Sequence, residues 1–416
     1  MTYIEFFTKT SIENICSCLT EAPDRLILIG DSSKAMKRCI RNFQKIFSKR
    51  GKDIEFLFKT VSKWNLSQME QVLEEIITTY EDCVFCITGG DEIALFTLGM
   101  VYERNRDKNI QIHRMGIRNN KIYDFDKDGN TIFEDVPQLS VEDNIIVYGG
   151  DVVYGDIDEE NTYHWNLTKQ FCDDVETIWS ICKADVRKWN IQISVLETLG
   201  EVGVTSDDGL QVIATKEEIQ NYYYNRKEKY SVNQDIINKL CREGLLMDFE
   251  ETDTEVIVKY KDLQVKKCLT KAGQALEMKI FLTAKEVKDT SGKYIYNDVL
   301  NGVVIDWDGE LHEEEEEKFD TVNEIDVMMM HDMIPVFVSC KNGQVTTEEL
   351  YKLNTVANRF GGEYAKKVLV ATNLSRLGDG EEYFKQRAAD MGIQIIENVH
   401  KMTNDELAKK LAGVWF

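Results

Sequence analysis

The sequence predicts a multi-domain α/β protein, with a doubly wound parallel sheet at the N-terminus, a helical connector ending in a hairpin, and a second α/β unit at the C-terminus. Three observations carry this. Short apolar runs alternate with amphipathic stretches through the first quarter of the chain, helical patterns dominate the middle, and a group of strand-like runs lies between two helices near the C-terminus. The 416 residues, 43% of them hydrophobic, suffice for two or three cores.

Arg25-Leu26-Ile27-Leu28-Ile29-Gly30-Asp31 is a continuous apolar run closing in a turn, and Ser32-Ser33 leads into a helix over 34–49. Strands over 54–61 and 83–87 and helices over 67–80 and 92–104 continue the alternation. In a parallel sheet ligands sit beyond the carboxyl ends of the strands, here the loops Gly30-Asp31-Ser32-Ser33 and Thr88-Gly89-Gly90-Asp91-Glu92. Glycine lets the backbone approach a phosphate or ribose, and the next helix offers free N–H groups. The same residues also read as plain turns and helix caps, since neither GxGxxG nor GxxxxGK[ST] is present. Asp124-Phe125-Asp126-Lys127-Asp128-Gly129 begins like a calcium loop, but Asp135 stands where a bidentate Glu belongs. Residues 120–135 therefore read as a hairpin turning at Asp128-Gly129.

Past Tyr148-Gly149-Gly150-Asp151 an acidic stretch marks a boundary, and the chain divides into residues 1–155, 156–268 and 269–416. Helical patterns to Leu199, helices over 215–226 and 231–243, and strands at Leu245-Leu246-Met247 and over 255–260 resemble a winged helix. No basic stripe accompanies them, so packing and transmission suit this connector better than reading DNA.

In the last unit, Glu277 opens a long amphipathic helix beside Leu276, Ile280 and Leu282. Val303-Val304-Ile305-Asp306-Trp307 reads as a strand, 313–317 as a solvated acidic loop and 323–330 as the returning strand. Alternation puts Glu324, Asp326 and Met328 on one face and Ile325 and Val327 on the other. Pro335-Val336-Phe337-Val338-Ser339-Cys340-Lys341 then places Ser339 and Lys341 together at the end of an apolar strand. Two carboxylates and a lysine are what metal-assisted phosphodiester cleavage needs: anionic oxygens for Mg²⁺ or Mn²⁺, and a cation to orient water or stabilise developing charge. The same residues also read as a solvated strand face with a lysine reaching water at the strand end.

Lys plus Arg total 50 against 73 Asp plus Glu, a net charge of -23, so any nucleic-acid contact must be local. Ten scattered cysteines, including Cys83-Val84-Phe85-Cys86 inside one strand, suit reduced thiols rather than a disulfide or zinc framework. With neither a signal-like N-terminus nor a run long enough to span a bilayer, the expected location is cytoplasmic.

A strand, Thr88-Gly89-Gly90, then an apolar helix resembles the signature loop of CARF domains, Rossmann-like sensors of cyclic oligoadenylate in type III CRISPR defence. Many CARF domains follow the Gly-Gly pair with Thr or Asn and a basic residue, where this chain has Asp91-Glu92. The resemblance implies a homodimer gripping one cyclic ligand, with Gly30, Asp31, Ser32, Ser33, Thr88, Gly89, Gly90, Asp91 and Glu92 as contacts.

The order helix with Glu277, strand, strand with Glu324-Ile325-Asp326, strand with Ser339-Cys340-Lys341, helix over 347–360 and strand over 368–372 resembles the PD-(D/E)xK, or restriction-endonuclease-like, core. Phe337-Val338-Ser339-Cys340-Lys341-Asn342-Gly343, Leu350-Tyr351-Lys352-Leu353-Asn354 and Arg359-Phe360-Gly361-Gly362 resemble CRISPR ancillary nucleases that join a CARF sensor to this core. This implies a metal-dependent endonuclease for DNA, RNA or both, activated by cyclic oligoadenylate, with cyclic tetra-adenylate the expected ring size. Asp326, Lys341, Glu277 and Glu324 would be catalytic, and Asp326, Glu277 and the carbonyl of Cys340 would hold Mn²⁺ or Mg²⁺. Ser339 departs from the motif, which expects Asp or Glu there. Two alternatives stay open: a catalytically weak sensor that sequesters the signal, and a ring nuclease that degrades the cyclic ligand.

Overall fold

The computed structural model describes all residues except 20–22, 126–130, 134, 135, 137, 158–160, 228, 311–321, 375–379 and 416. The N-terminal sheet has seven strands: β1 (Thr2–Phe6), β2 (Arg25–Gly30), β3 (Glu55–Thr60), β4 (Cys83–Cys86), β5 (Ile110–Gly116), β6 (Lys121–Asp124) and β7 (Thr131–Phe133). Their order is β3-β2-β1-β4-β5-β6-β7, the first five parallel and the last two antiparallel. The connecting helices are α1 (Ser33–Lys49), α2 (Leu66–Thr79) and α3 (Glu92–Arg104), followed by the short α4 (Val141–Val147). The result is the doubly wound, Rossmann-like sheet expected from the alternation.

The sequence pattern misses β1, which lies at the centre of the sheet. All five of its residues are buried, so Thr2-Tyr3-Ile4-Glu5-Phe6 shows no alternation, and its Glu disguises a core position. Strand order reverses about β1, and the crevice between β1 and β4 is therefore the switch point at which ligands bind in such sheets. The hairpin expected over 120–135 is present as β6 and β7, while its turn at Asp128-Gly129 lies outside the described residues, as does the acidic loop at 313–317.

The connector comprises α5 (Lys169–Ala184), α6 (Val186–Val202), β9 (Val204–Thr205), β10 (Gln211–Thr215), α7 (Lys216–Arg226), α8 (Gln234–Arg242), β11 (Leu246–Glu251), β12 (Glu255–Tyr260) and α9 (Leu263–Thr270). Helix, strand, two helices and a hairpin on one antiparallel sheet, β11-β12-β10-β9, give the winged-helix order.

The third unit holds α10 (Gln274–Glu286), β13 (Asp298–Asp306), β14 (Val322–His331), β15 (Ile334–Lys341), α11 (Thr347–Gly361), β16 (Lys366–Ala371), α12 (Glu381–Asp390), β17 (Ile393–Glu397) and α13 (Asn404–Ala412). Its sheet runs β17-β16-β15-β14-β13-β8, where β8 is Asp151–Val152, contributed from upstream of the connector. One face packs Val327, Met329, Val336 and Val338 against α10 and the connector helices in a single core. The opposite face packs Met328, Phe337, Val356 and Phe360 into a core continuous with Met36, Phe43 and Ile145 of the N-terminal unit. Burial of this kind, at ~25 cal/mol per Å² of apolar surface, joins the first and third units through α1, α4 and α11.

Candidate functional site

The third-unit site forms where β14 and β15 separate. Their ladder runs from His331 opposite Ile334 to Val327 opposite Val338 and stops there. Asp326 enters the gap, its Oδ2 accepting the Cys340 N–H at 2.5 Å and the Ser339 hydroxyl at 3.3 Å. A carboxylate thus takes the place of a strand acceptor. On the other side Gly302, at φ +58°, interrupts the β13–β14 ladder opposite Asp326, and Asn301 Nδ2 donates to the Asp326 carbonyl at 2.9 Å. Asn301 is itself fixed, its Oδ1 accepting from Gln274 at 3.0 Å and from Trp165 Nε1 at 3.1 Å.

Lys341 Nζ lies 4.0 Å from Asp326 Oδ2 and 2.9 Å from Glu349 Oε2. Glu277, in the first turn of α10, is 5% exposed, and its Oε2 has no hydrogen-bond partner among the described residues. Burial first, and then the neighbouring Asp326 charge, push the Glu277 carboxyl well above the usual range. Burial also raises Asp326, against the pull of Lys341 and the Cys340 amide. Burial alone would lower Lys271, but Glu277 and Glu324 outweigh it and raise the ammonium's pKa. Glu324 is partly exposed and ion-paired with Lys271. The Cys340 thiol is driven up by burial and by Asp326, so it is an inert core group while its amide serves the site.

All five residues singled out from sequence, Glu277, Glu324, Asp326, Cys340 and Lys341, therefore converge on one locality. Lys271, Asn301 and Glu349 join them without a sequence signal. Among the described residues no group of three or more His, Cys, Asp and Glu side chains is gathered closely enough to hold a metal ion. The donors nonetheless fit a divalent cation: a buried carboxylate oxygen without a partner, set against a second carboxylate, is a repulsion that such an ion relieves. Beside Glu324 a cavity of about 370 Å³ is lined by Tyr163, Trp165, Lys266, Lys267 and Lys271, a local cluster of cations on an acidic molecule.

In the N-terminal unit a cleft of about 710 Å³ opens at the carboxyl ends of β1, β2 and β4. Gly30, Asp31, Ser32, Gly90 and Asp91 line it, whereas Ser33, Thr88, Gly89 and Glu92 do not. Ser32 and Asp91 also cap α1 and α3, accepting from the amides of Ala35 and Ala94. Thr88 instead accepts the Met115 amide at 2.8 Å. Steric closeness explains the glycine pair: a Cβ at Gly89 would lie 2.3 Å from Thr8, and one at Gly90, where φ is +105°, 2.8 Å from Phe6. The cleft's cations are Lys9, Arg38 and Lys63, with Thr8, Asn42 and Tyr148 beside them. Lys9 follows β1, the strand the pattern did not reveal.

The two sites are joined by α11. At its C-terminal end Arg359 donates to the Tyr148 carbonyl and, at 3.1 Å, to the Trp307 carbonyl, and burial together with the Arg38 charge lowers its pKa. Asn144 Nδ2 donates to the Phe360 carbonyl at 2.7 Å, and Tyr364 donates to Glu13, which accepts from Thr8 in the cleft wall. At its N-terminal end the same helix carries Glu349 against Lys341.

No helix among the described residues is long and apolar enough to cross a membrane. No family model matches the sequence, and no curated protein matches it. Solved structures do. Protein VC1899 from Vibrio cholerae is 14% identical with a TM-score of 0.70, the match covering 100% of this chain and 97% of that one. Can2 from Sulfobacillus thermosulfidooxidans, solved in complex with cyclic tetra-adenylate, is 14% identical with a TM-score of 0.66, covering 100% and 99%. Both likenesses extend over the whole chain and show that its fold is similar to theirs from end to end.

Proposed function

We propose that the chain is a metal-dependent endonuclease of CRISPR defence, switched on by a cyclic oligoadenylate bound in the N-terminal cleft. The observation that carries the nuclease half is the pairing of buried Glu277 with Asp326 beside Lys341, at the point where two strands separate. For the sensor half, support comes from a cation-lined cleft at the switch point and from likeness over the full length to Can2, whose structure holds cyclic tetra-adenylate. Cyclic tetra-adenylate is therefore the activator of choice, and a homodimer would close two clefts around one ring.

Asp326, Glu277 and the Cys340 carbonyl would hold Mn²⁺ or Mg²⁺. When bound, such an ion would make water easier to deprotonate near neutral pH and would add positive charge for the transition state. Lys341 stabilises charge developing on the phosphate as water adds and one P–O ester bond breaks. Lys266, Lys267 and Lys271 attract the DNA or RNA strand, while Glu324 holds Lys271 in place. Gating requires that ligand bind one arrangement of the units better than the other, and α11, anchored at the cleft and ending at Lys341, is the element whose position both sites sense.

Lys341→Ala tests this directly. It should lower ligand-stimulated cleavage at least about hundredfold and leave affinity for cyclic tetra-adenylate unchanged. Cleavage surviving in the variant refutes the assignment. The hydroxyl of Ser339, placed where the motif expects a carboxylate, favours a second reading, a sensor that sequesters the signal and cuts nothing. Wild-type protein that binds the ligand but leaves every nucleic acid intact would decide for it.

A further inference from the structure

We propose that the cavity beneath the turn between α5 and α6 holds one nucleotide of the substrate strand, on the opposite side of the cleavage point from Lys266, Lys267 and Lys271; this rests on the nuclease reading above. The cavity measures about 490 Å³, within the usual range for pockets that take a small ligand. Strands β15, β16 and β17 run parallel, and ligands of such sheets sit beyond their carboxyl ends. Those ends line the cavity: Gly343 and Gln344 follow β15, Thr372 and Asn373 follow β16, and His400 follows β17. In the sheet order β17-β16-β15-β14-β13, Asp326 and Lys341 meet where β14 and β15 part. The cavity beside Glu324 lies on the β13 side of that gap and this one on the β16 side. A strand crossing the gap meets both.

The opposite wall is cationic for a structural reason. Asp185 alone separates α5 from α6, ending one helix and capping the next by accepting the Lys188 amide at 3.0 Å. Trp179, Cys182, Trp189 and Ile193 bury the other side of both helices in the core, which leaves Lys183 and Arg187, on either side of the break, to line the cavity. Among the described residues neither is ion-paired, and the cavity's carboxylate, Asp185, pairs with Lys188 at 3.4 Å. Two cations left without a counter-charge on a chain of net charge -23 suit an anion, and the phosphates of a strand held at the cleavage point supply it. The cavity is also tied to Lys341. The Thr372 amide donates to the Lys341 carbonyl at 3.1 Å, while Asn190 donates to the Asn342 carbonyl and accepts from Asn342 Nδ2 at 3.0 Å. A nucleotide seated here therefore fixes the strand relative to Lys341.

The test reads binding of a labelled oligothymidylate to the full-length chain by fluorescence anisotropy, with cyclic tetra-adenylate and EDTA present, over a series of salt concentrations. Wild type is compared with the double variant Lys183→Ala with Arg187→Ala, with Ala184→Trp, and with Lys188→Ala. Ala184 is exposed at the cavity, so Trp there fills the space and leaves both cations in place. The double variant should bind about tenfold more weakly, its salt slope reduced by about 1.4 for two lost phosphate contacts. Ala184→Trp should also weaken binding, and Lys188→Ala, already neutralised by Asp185, should change neither quantity. Thermal melting checks that each variant is folded, and cleavage is then read with Mn²⁺ in place of EDTA. Wild-type affinity in either the folded double variant or folded Ala184→Trp overturns the proposal, and cutting by wild type leaves the nuclease reading standing. If both variants lose affinity but wild type cuts nothing, the nucleotide site stands and the nuclease reading falls. Wild type that binds no oligothymidylate overturns both.

Discussion

Glu5 makes the stability of the N-terminal sheet depend on pH in a direction that can be worked out beforehand. It is 1% exposed in the central strand, and burial pushes its carboxyl from 4.5 up to about 8, with nearby Cys86, Ser17 and Cys18 offsetting this only in part. Folded protein therefore keeps a proton that unfolded chain releases. The stability this contributes is fully present below about 4.5 and is lost as pH rises towards 8. Each pH unit between those limits costs about 1.4 kcal/mol, roughly 5 kcal/mol over the whole span and about 2 to 3 kcal/mol between pH 6 and 8. Glu5→Gln stays neutral throughout, so it should match wild type near pH 5 and grow more stable relative to it as pH rises. Hydrogen exchange of the peptide containing β1, compared between the two proteins at each pH, isolates this from other titrating groups. A gap that stays flat between pH 5 and 8 would refute the reasoning.

Three further outcomes follow from the geometry. Gly90→Ala forces a side chain into φ +105° against Phe6 and should destabilise the chain by about 1–3 kcal/mol, read as a lowered Tm; an unchanged Tm contradicts the steric account. Arg38→Ala removes a cleft cation and should weaken cyclic tetra-adenylate about tenfold, with a shallower salt dependence; equal affinity would place the ligand elsewhere. Arg359→Ala unties α11 from the Tyr148 and Trp307 carbonyls and should cut ligand stimulation about fivefold or more while Lys341 keeps its partners; undiminished stimulation would remove α11 from the path.

Long elements with strong periodicity were legible in the sequence. The alternation from β2 to α3 and the presence of β14 and β15 follow the expected pattern, and the latter pair brings Asp326 and Lys341 together. Strict alternation along β14 fails, however: Ile325 shares a core with Met328 and Met330, while Val327 and Met329 face the other, because the ladder breaks at Gly302 opposite Asp326. Elements defined by tertiary burial were not. β1 is short and buried on both faces, so it carries no period, and the cleft residues Thr8 and Lys9 that follow it stayed hidden with it. Glu349 sits in the first helical turn, where acidic residues are common because they complement the helix dipole, and only the fold shows it against Lys341. The glycine pair has a packing reason that only the fold shows: Gly89 makes room for Thr8, and Gly90 packs on Phe6 while lining the cleft. Alternation alone also could not reveal that Asp326 leaves the ladder to accept the Cys340 amide, since that depends on Gly302 and Asn301 across the sheet.

The most direct test of ligand-gated cleavage is a single comparison. Full-length protein with Mn²⁺ or Mg²⁺ is given labelled single-stranded and duplex DNA and RNA, with and without cyclic tetra-adenylate. At least one substrate should be cut about tenfold faster or more with the ligand, in line with the usual range of coupling between sites. Equal rates with and without it would contradict the account.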